Sequence, residues 1–411
     1  MPYITLRRCL ATALSLAAFA APAIAQTPAP KPAPGWMDTI SFGLQIQGGI
    51  AGNPTTSRKR NWGHLFTDTP NMPVLNQVLA TIERKIDSKT AAWDVGFKLQ
   101  GMYGSDARYT HLLGVFDRSL RGQYQFDLVE ANVTVHAPIL TAGGLDGKFG
   151  AFATPLGFET IDPSTNPFYT HSYIFNFGLP LKHTGALMTL HVTDALDLIG
   201  GVTTGVNTSL GKYGDNNSSV SAIFGAIVTL LDGDLVINGA THVGAENPRR
   251  TVANAGQFKR WFNDVYVTWK ATDKLTFITE LNYVREEGPV KAEAMGIAQY
   301  VSYALNEKVT LNARGEVFRD GQGFFVAAFP GHLDAVNAQT RGVSGAIPGT
   351  KTTYGALTAG LSYKPEPFGP LSALTLRPEV RYDTTLGGTK PFNGGRSSSA
   401  VMLSMDAIVA F

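Results

Sequence analysis

The segment 398–411 alternates apolar side chains with polar or small ones almost without exception. One face carries Val401, Leu403, Met405, Ala407, Val409 and Phe411, and the other carries Ser404 and Asp406. Successive side chains of a β-strand point to opposite faces, so the pattern predicts a strand with one apolar and one polar face. The same alternation recurs along the chain, and it therefore constrains the fold more than any other feature.

Further segments repeat this period of two, for example 38–50 and 91–104, which also carry aromatic residues near their ends. We predict about sixteen strands on this basis. They lie near 38–50, 73–86, 91–104, 122–137, 144–155, 181–192, 195–207, 219–231, 235–245, 259–271, 274–286, 292–305, 308–319, 351–363, 372–384 and 398–411.

A soluble sandwich would share this alternation, so the connections between the strands decide the class. Every second connection is short and rich in Asp, Asn or Gly, as tight turns require: 87–89, 194–195, 232–234, 272–274 and 306–308. Most of the others are long: 51–72, 105–121, 156–180, 208–218, 246–258, 320–350 and 385–397. Short turns on one side and long loops on the other are typical of a transmembrane, antiparallel, up-and-down β-barrel with periplasmic turns and external loops.

The first 25 residues have the pattern of a secretory signal, which implies export across the inner membrane of a Gram-negative bacterium. Arg7 and Arg8 precede an apolar run, and Ala23-Ile-Ala25 supplies the small residues of a cleavage site. We expect a Pro-rich periplasmic linker at 26–35 and an outer-membrane barrel over 36–411. The one cysteine, Cys9, would leave with the signal, and the terminal Phe411 would be recognised by the barrel-assembly machinery.

The charge of the chain is almost balanced, with 34 Lys and Arg against 32 Asp and Glu. This balance gives no reason to expect a nucleic-acid partner. The histidines show no metal-ligand spacing, and the sequence holds no phosphate-binding or metalloprotease motif. We therefore expect neither cofactor nor metal, and no enzymatic activity.

Alternation also predicts which charged side chains face the lumen, because a charge facing lipid near the midplane costs about 2–4 kcal/mol. The inward set comprises Lys98, Glu130, Lys148, Asp264, Lys270, Glu280, Arg314, Glu316, Arg377, Glu379, Arg381 and Asp383. Two roles remain open for each of them. The charges could pair and brace the wall, or they could create a transverse field that discriminates among ions and dipolar solutes.

The long connection 156–180 is the best candidate for a constriction inside the barrel. It combines many aromatic side chains with carboxylates, and a loop that only met water would not need them. The candidate residues are Glu159, Asp162, Phe168, Tyr169 and Tyr173. Packing over the rim of the barrel or in a subunit interface is the alternative.

Several runs resemble the OmpL-like porin-2 family of proteobacterial outer membranes. They are Arg314-Gly-Glu316-Val-Phe318-Arg-Asp320-Gly-Gln-Gly323, Arg377-Pro-Glu379-Val-Arg381-Tyr-Asp383, Pro180-Leu-Lys-His183-Thr184-Gly185 and Gly157-Phe-Glu159. The resemblance implies an outer-membrane channel for small hydrophilic solutes, without naming a solute. Its arginine and carboxylate positions coincide with residues that alternation places in the lumen.

The leading hypothesis is a porin for passive diffusion of small hydrophilic solutes and ions through a water-filled lumen. Its partners would be outer-membrane lipid, lipopolysaccharide and, as larger porins suggest, two further copies in a homotrimer. Arg58-Lys-Arg60 could contact lipopolysaccharide phosphates. A plugged barrel that acts as an adhesin or anchor through its external loops is the alternative. A lipid hydrolase using His171 and Ser172 is disfavoured, because adjacent residues of an extended segment point opposite ways.

Overall fold

Sixteen long β-strands close into a single antiparallel barrel in the computed structural model, which describes residues 35–55, 60–118, 122–329 and 346–411. Each long strand pairs with the next one along the chain, and the last pairs with the first through Gln45 and Ala410. Closure leaves no free sheet edge, which lipid could not solvate. The predicted fold class is confirmed.

The strand bounds follow the predicted segments to within a few residues. The barrel strands are β1 Ser41–Gly52, β2 Pro73–Arg84, β3 Asp94–Gly104, β4 Gln125–Ala137, β5 Leu145–Ala153, β6 Lys182–Thr193, β7 Leu196–Thr203, β8 Ser221–Leu230, β9 Leu235–Ala245, β10 Lys259–Lys270, β11 Leu275–Glu286, β12 Ala292–Ala304, β13 Val309–Asp320, β16 Thr352–Tyr363, β17 Ala373–Thr385 and β18 Ser399–Ala410. A two-residue pair, β14 Ala327–Ala328 and β15 Ile347–Pro348, lies in the connection between β13 and β16.

Among the described residues, the helical segments are short and lie in the connections, apart from one turn before β1. They are Trp36–Thr39, Ala107–Thr110, Pro163–Thr165, Ile174–Gly178, Leu231–Gly233, Ala255–Gln257 and Phe392–Gly395. Within the described ranges, no helix is long and apolar enough to cross a membrane.

The ends of strands differ from the prediction where a local turn takes over. Strand β7 ends at Thr203, although the alternation suggested 207. Gly205 and Asn207 both have a positive φ, and the Asn207 amide N–H donates to the Lys182 carbonyl. These contacts turn the chain away from the sheet after Thr203.

The two faces of the barrel wall have opposite characters. On β18, Leu403 and Met405 are exposed on the outer face, whereas Met402 and Asp406 are buried on the inner one. The exposed apolar face meets lipid in the membrane, and the inner face is covered by the chain's own loops. Residues 1–34, which include the predicted signal and most of the predicted linker, lie outside the described residues, as do Arg58 and Lys59.

Candidate functional site

The connection between β5 and β6, residues 154–181, lies inside the barrel, and we call it the inner loop. Its two ends meet, because the Thr154 amide N–H donates to the Leu181 carbonyl at 3.0 Å. Between them the chain crosses the lumen and returns. Phe168, Tyr169 and Tyr173 are almost fully buried there. Tyr173 stacks on Tyr354 of the wall with ring centroids 5.0 Å apart, whereas Tyr169 packs against Ala51 and Met402.

Inward-facing carboxylates of the wall hold the backbone of the inner loop. A backbone N–H inside a protein needs an acceptor, and a charged acceptor makes the stronger bond. Four wall carboxylates take this role. Asp264 accepts from the Gly157 amide at 3.1 Å, Glu280 from Phe158 at 3.0 Å, Glu316 from Tyr173 at 2.6 Å and Glu379 from Tyr169 at 2.8 Å.

The three wall arginines hold carbonyls of the same loop. Arg314 donates to the Thr170 carbonyl at 2.9 Å. Arg377 donates to the carbonyls of Pro163 at 2.8 Å and Asn166 at 2.6 Å, while its other donors bind Asp406. Arg381 donates to the His171 carbonyl at 3.2 Å and pairs with Glu316 and Asp383. The loop is therefore clamped at both its donors and its acceptors.

Glu159 is the charged centre of the inner loop itself. Its carboxylate pairs with Arg314 at 2.7 Å and accepts from the Tyr300 hydroxyl at 2.9 Å. His171 Nδ1 lies 2.5 Å away. Burial opposes ionisation of Glu159, but Arg314, His171 and Tyr300 outweigh it and lower the pKa of this carboxyl to about 2.

These charges face the lumen as alternation predicts, but the inner loop covers them. The side chains of Arg314, Arg377 and Arg381 are only 0–2% exposed. A buried charge requires a partner, and each of these has one or more carboxylates. The placement favours bracing over an open transverse field for this part of the wall.

A second group of predicted residues lines open space at the periplasmic end of β2–β6. Lys98, Glu130 and Lys148 border a cavity of about 330 Å³ that we call the vestibule. Lys98 pairs with Glu130 at 2.7 Å, and the Lys98 side chain remains 25% exposed. Lys148 makes no hydrogen bond or ion pair with the residues that the structure describes.

Two predicted residues lie apart from both groups. Lys270 is at the periplasmic rim, half-exposed between Asp234 at 3.7 Å and Asp273 at 3.6 Å. Asp162 lies in the half-buried part of the inner loop, where it accepts from Gln45 Nε2 at 3.0 Å and caps the turn at Ser164. Neither position adds a free charge to the vestibule.

Sequence reasoning missed some partners that complete the wall. Lys182 and Asp127 form a fully buried ion pair at 2.6 Å, next to the start of β6. Alternation placed Asp406 on the polar face of β18, but it did not predict the ion pair of Asp406 with Arg377. Lys182 lies in one of the family-like runs. Asp127 is three residues before Glu130, so strict alternation places the two on opposite faces, and the β-bulge between Leu128 and Glu130 that turns both inward is not visible in the sequence. Among the described residues, no cluster of His, Cys, Asp and Glu could hold a metal ion.

A closed sixteen-strand barrel with an apolar outer face and a loop folded into its lumen has the architecture of an outer-membrane channel. The family model "Putative beta-barrel porin-2, OmpL-like" matches residues 39–411, and the chain belongs to this family. The predictions of family, outer-membrane location and porin function are thereby confirmed. No curated protein matches the chain in sequence.

Solved porin structures share the fold at low sequence identity. An anion-selective porin from Comamonas acidovorans has a TM-score of 0.56 and 8% identity, over 90% of this chain and 99% of that one. OmpF of Salmonella typhi, in complex with daunomycin, has a TM-score of 0.53 and 9% identity, over 90% and 97%. The outer-membrane channel DcaP of Acinetobacter baumannii has a TM-score of 0.51 and 12% identity, over 90% and 97%.

Proposed function

We propose that the protein is a weakly selective diffusion porin whose inner loop is a fixed constriction. The observation that carries the proposal is the two-sided clamp, in which wall carboxylates hold loop amides and wall arginines hold loop carbonyls. In this proposal solutes pass on the β3–β6 side, where the vestibule is open. The vestibule charges, rather than the three covered arginines and Glu159, then set the ion preference.

Planar-bilayer recording tests the porin directly. Pure, folded protein should give stepwise conductance without any added cofactor. A variant in which a three-residue Gly-Asn-Gly turn replaces residues 158–178 should give larger steps, because the ends of the loop already meet at Thr154 and Leu181. Absence of steps from folded protein, with and without the loop, would overturn the proposal.

We propose that the protein has no enzymatic activity, which the placement of His171 and Ser172 supports. A hydrolase acting on membrane lipid would need both side chains at the lipid-facing surface. The Ser172 hydroxyl is buried and accepts from the Phe175 amide at 3.0 Å, and His171 stacks on the Phe175 ring. Unchanged membrane phospholipids in cells that express the protein would agree with this proposal, and Ser172-dependent hydrolysis would contradict it.

The buried packing of the inner loop favours one second candidate, a plugged barrel that serves as an adhesin or anchor. Phe168 and Tyr173 belong to a continuous apolar cluster with Tyr300, Phe318 and Tyr354. External loops such as 51–72 would then carry the function. If this candidate is right, the intact protein gives no conductance in bilayers, and shortening that loop abolishes surface binding. A porin with the same shortened loop keeps its conductance.

The remaining expectations on processing and partners are proposals as well. We propose that residues 1–25 are removed as a signal, which N-terminal sequencing of the membrane form would test. Phe411, exposed at the end of β18, is the proposed contact of the assembly machinery, and Arg60 is a proposed contact of lipopolysaccharide phosphate. A homotrimer is proposed from the general behaviour of large porins, and native mass spectrometry would test it.

A further inference from the structure

The vestibule holds one ammonium group that forms no ion pair with a described residue. Lys148 lies on β5 with Thr134 of β4 directly opposite and Leu187 of β6 on its other side. Its Nζ makes no hydrogen bond or ion pair with a described residue, although it borders a cavity of about 330 Å³. A lysine ammonium has three donors, and all three of this one are free to bind a ligand.

The carboxylates of the vestibule are already occupied by other donors. Glu130 accepts from Lys98 at 2.7 Å and from Asn132 at 3.0 Å. Asp146 accepts from Ser88 at 2.5 Å and lies 2.7 Å from His136 Nδ1. These contacts satisfy the carboxylate oxygens of Glu130 and Asp146, and neither carboxylate forms an ion pair with Lys148.

Glu83 is the third carboxylate in the lining, and its nearest cation is Lys85 at 3.9 Å. Arg84, also in the lining, pairs with Asp94 at 2.8 Å. Lys148 is therefore the cation of the lining that forms no ion pair with a carboxylate of the described residues.

Neutral donors complete the surroundings of this ammonium. The hydroxyls of Thr134 and Thr189 line the same cavity, and neither makes a hydrogen bond within the described part of the chain. Lys98 uses only one of its three donors on Glu130. Free ammonium and hydroxyl donors facing one cavity match an oxyanion, whose several oxygens all accept.

We propose that the vestibule is a binding site for small oxyanions, with Lys148 as the main ligand and Thr134, Thr189 and Lys98 as further donors. The site deepens the proposed porin function by naming a solute class, the phosphoryl or carboxylate group of a small hydrophilic solute, and it rests on that function. Because the site lies at the periplasmic mouth, it holds an anion that has passed the inner loop or is about to do so.

Current block in planar bilayers tests the site. With chloride as the current carrier, inorganic phosphate and succinate are added in turn to each chamber. We expect a block that saturates and is stronger from one side, and the two probes distinguish phosphoryl from carboxylate solutes. Lys148→Gln should raise the half-blocking concentration about tenfold, equivalent to about 1.4 kcal/mol, and Lys148→Arg should retain the block.

Lys270→Gln is the matched control, because Lys270 is also periplasmic but lies between two aspartates at the rim. It should leave the block unchanged. Equal loss in Lys270→Gln and Lys148→Gln, an unchanged block in Lys148→Gln, or no block of the wild type by either probe would each overturn the site. Each variant must give stepwise conductance before a probe is added, and its block is expressed relative to its own unblocked current; absence of conductance in the wild type would instead refute the porin function.

Discussion

Two regions of the lumen wall carry the same kinds of side chain and yet differ in burial and in charge pairing. On β13 and β17, Arg314 and Arg381 are sealed by the inner loop and bound to carboxylates. On β3 and β5, Lys98 and Lys148 border open space, and Lys148 has no partner among the described residues. Inward parity is identical in both regions. The inner loop therefore decides which lumen charges are buried and which border open space, and in the proposed porin only the latter meet the solute.

The largest expected effect is a loss of stability when a buried ion pair is removed from the sealed region, the part of the wall around Arg314 and Arg381 that the inner loop covers. Arg314→Met leaves Glu159 buried without its arginine partner, and we expect a loss of about 3–5 kcal/mol in the free energy of unfolding. Lys148→Met, the matched change in the vestibule, should stay within about 0.5 kcal/mol. Urea unfolding in lipid, followed by tryptophan fluorescence, measures both, and equal losses would show that the two regions do not differ.

A smaller loss should follow when one carboxylate of the clamp is neutralised. Glu379→Gln removes the charged acceptor of two loop amides and of the Thr170 hydroxyl, at a cost of about 1.5–3 kcal/mol. Hydrogen exchange at the amides of Tyr169 and Thr170 should accelerate in this variant. Unchanged exchange would mean that the wall carboxylate does not hold the loop.

Acid should loosen the sealed region through Glu159. Because its pKa is lowered from 4.5 to about 2 in the folded protein, its ionised form stabilises the fold. That contribution is fully present above pH 4.5 and is lost as the pH falls through about 2. The free energy of unfolding should therefore fall with acid more steeply in the wild type than in Glu159→Gln. If the free energy of unfolding falls in parallel with pH in the wild type and in Glu159→Gln, ionised Glu159 does not stabilise the clamped loop.

Neutralising a carboxylate of the vestibule should change stability less than the sealed-region substitutions above, but it should shift the reversal potential. Glu130→Gln breaks the pair with Lys98, whose side chains are 9% and 25% exposed respectively, and should cost about 1 kcal/mol. It also leaves a second free ammonium beside Lys148, so the reversal potential in a KCl gradient should move toward chloride selectivity. Arg381→Met should leave the reversal potential unmoved, and a shift as large as that of Glu130→Gln would restore the transverse-field interpretation.

The barrel was predictable from sequence because lipid and lumen impose opposite requirements on alternate residues. A pattern such as Leu403-Ser404-Met405-Asp406 specifies both a strand and its orientation. Loop lengths indicated which end of each strand is periplasmic and which is external, and the alternation placed the strands to within a few residues. Inward parity likewise identified the arginines and carboxylates of the wall.

The course of the inner loop could not be predicted in the same way. Its aromatics suggested a place inside the barrel, but no period links Glu159 to Arg314 or Glu379 to the Thr170 amide, which are far apart in sequence. The sequence predicted a water-filled lumen narrowed by this loop, but not that the loop would also cover Arg314, Arg377 and Arg381. Which charges remain free depends on these long-range contacts, and local patterns do not contain them.

Thiol accessibility tests the division of the lumen most directly. Thr134 borders the vestibule, whereas Thr358 of β16 is buried behind the inner loop and accepts from Arg314 at 3.2 Å. Thr134→Cys and Thr358→Cys are matched, nearly isosteric changes in a chain whose only other cysteine is Cys9. A charged methanethiosulfonate added during recording should alter the current through Thr134→Cys within minutes and leave Thr358→Cys unmodified. Equal reaction rates at the two positions would contradict the account.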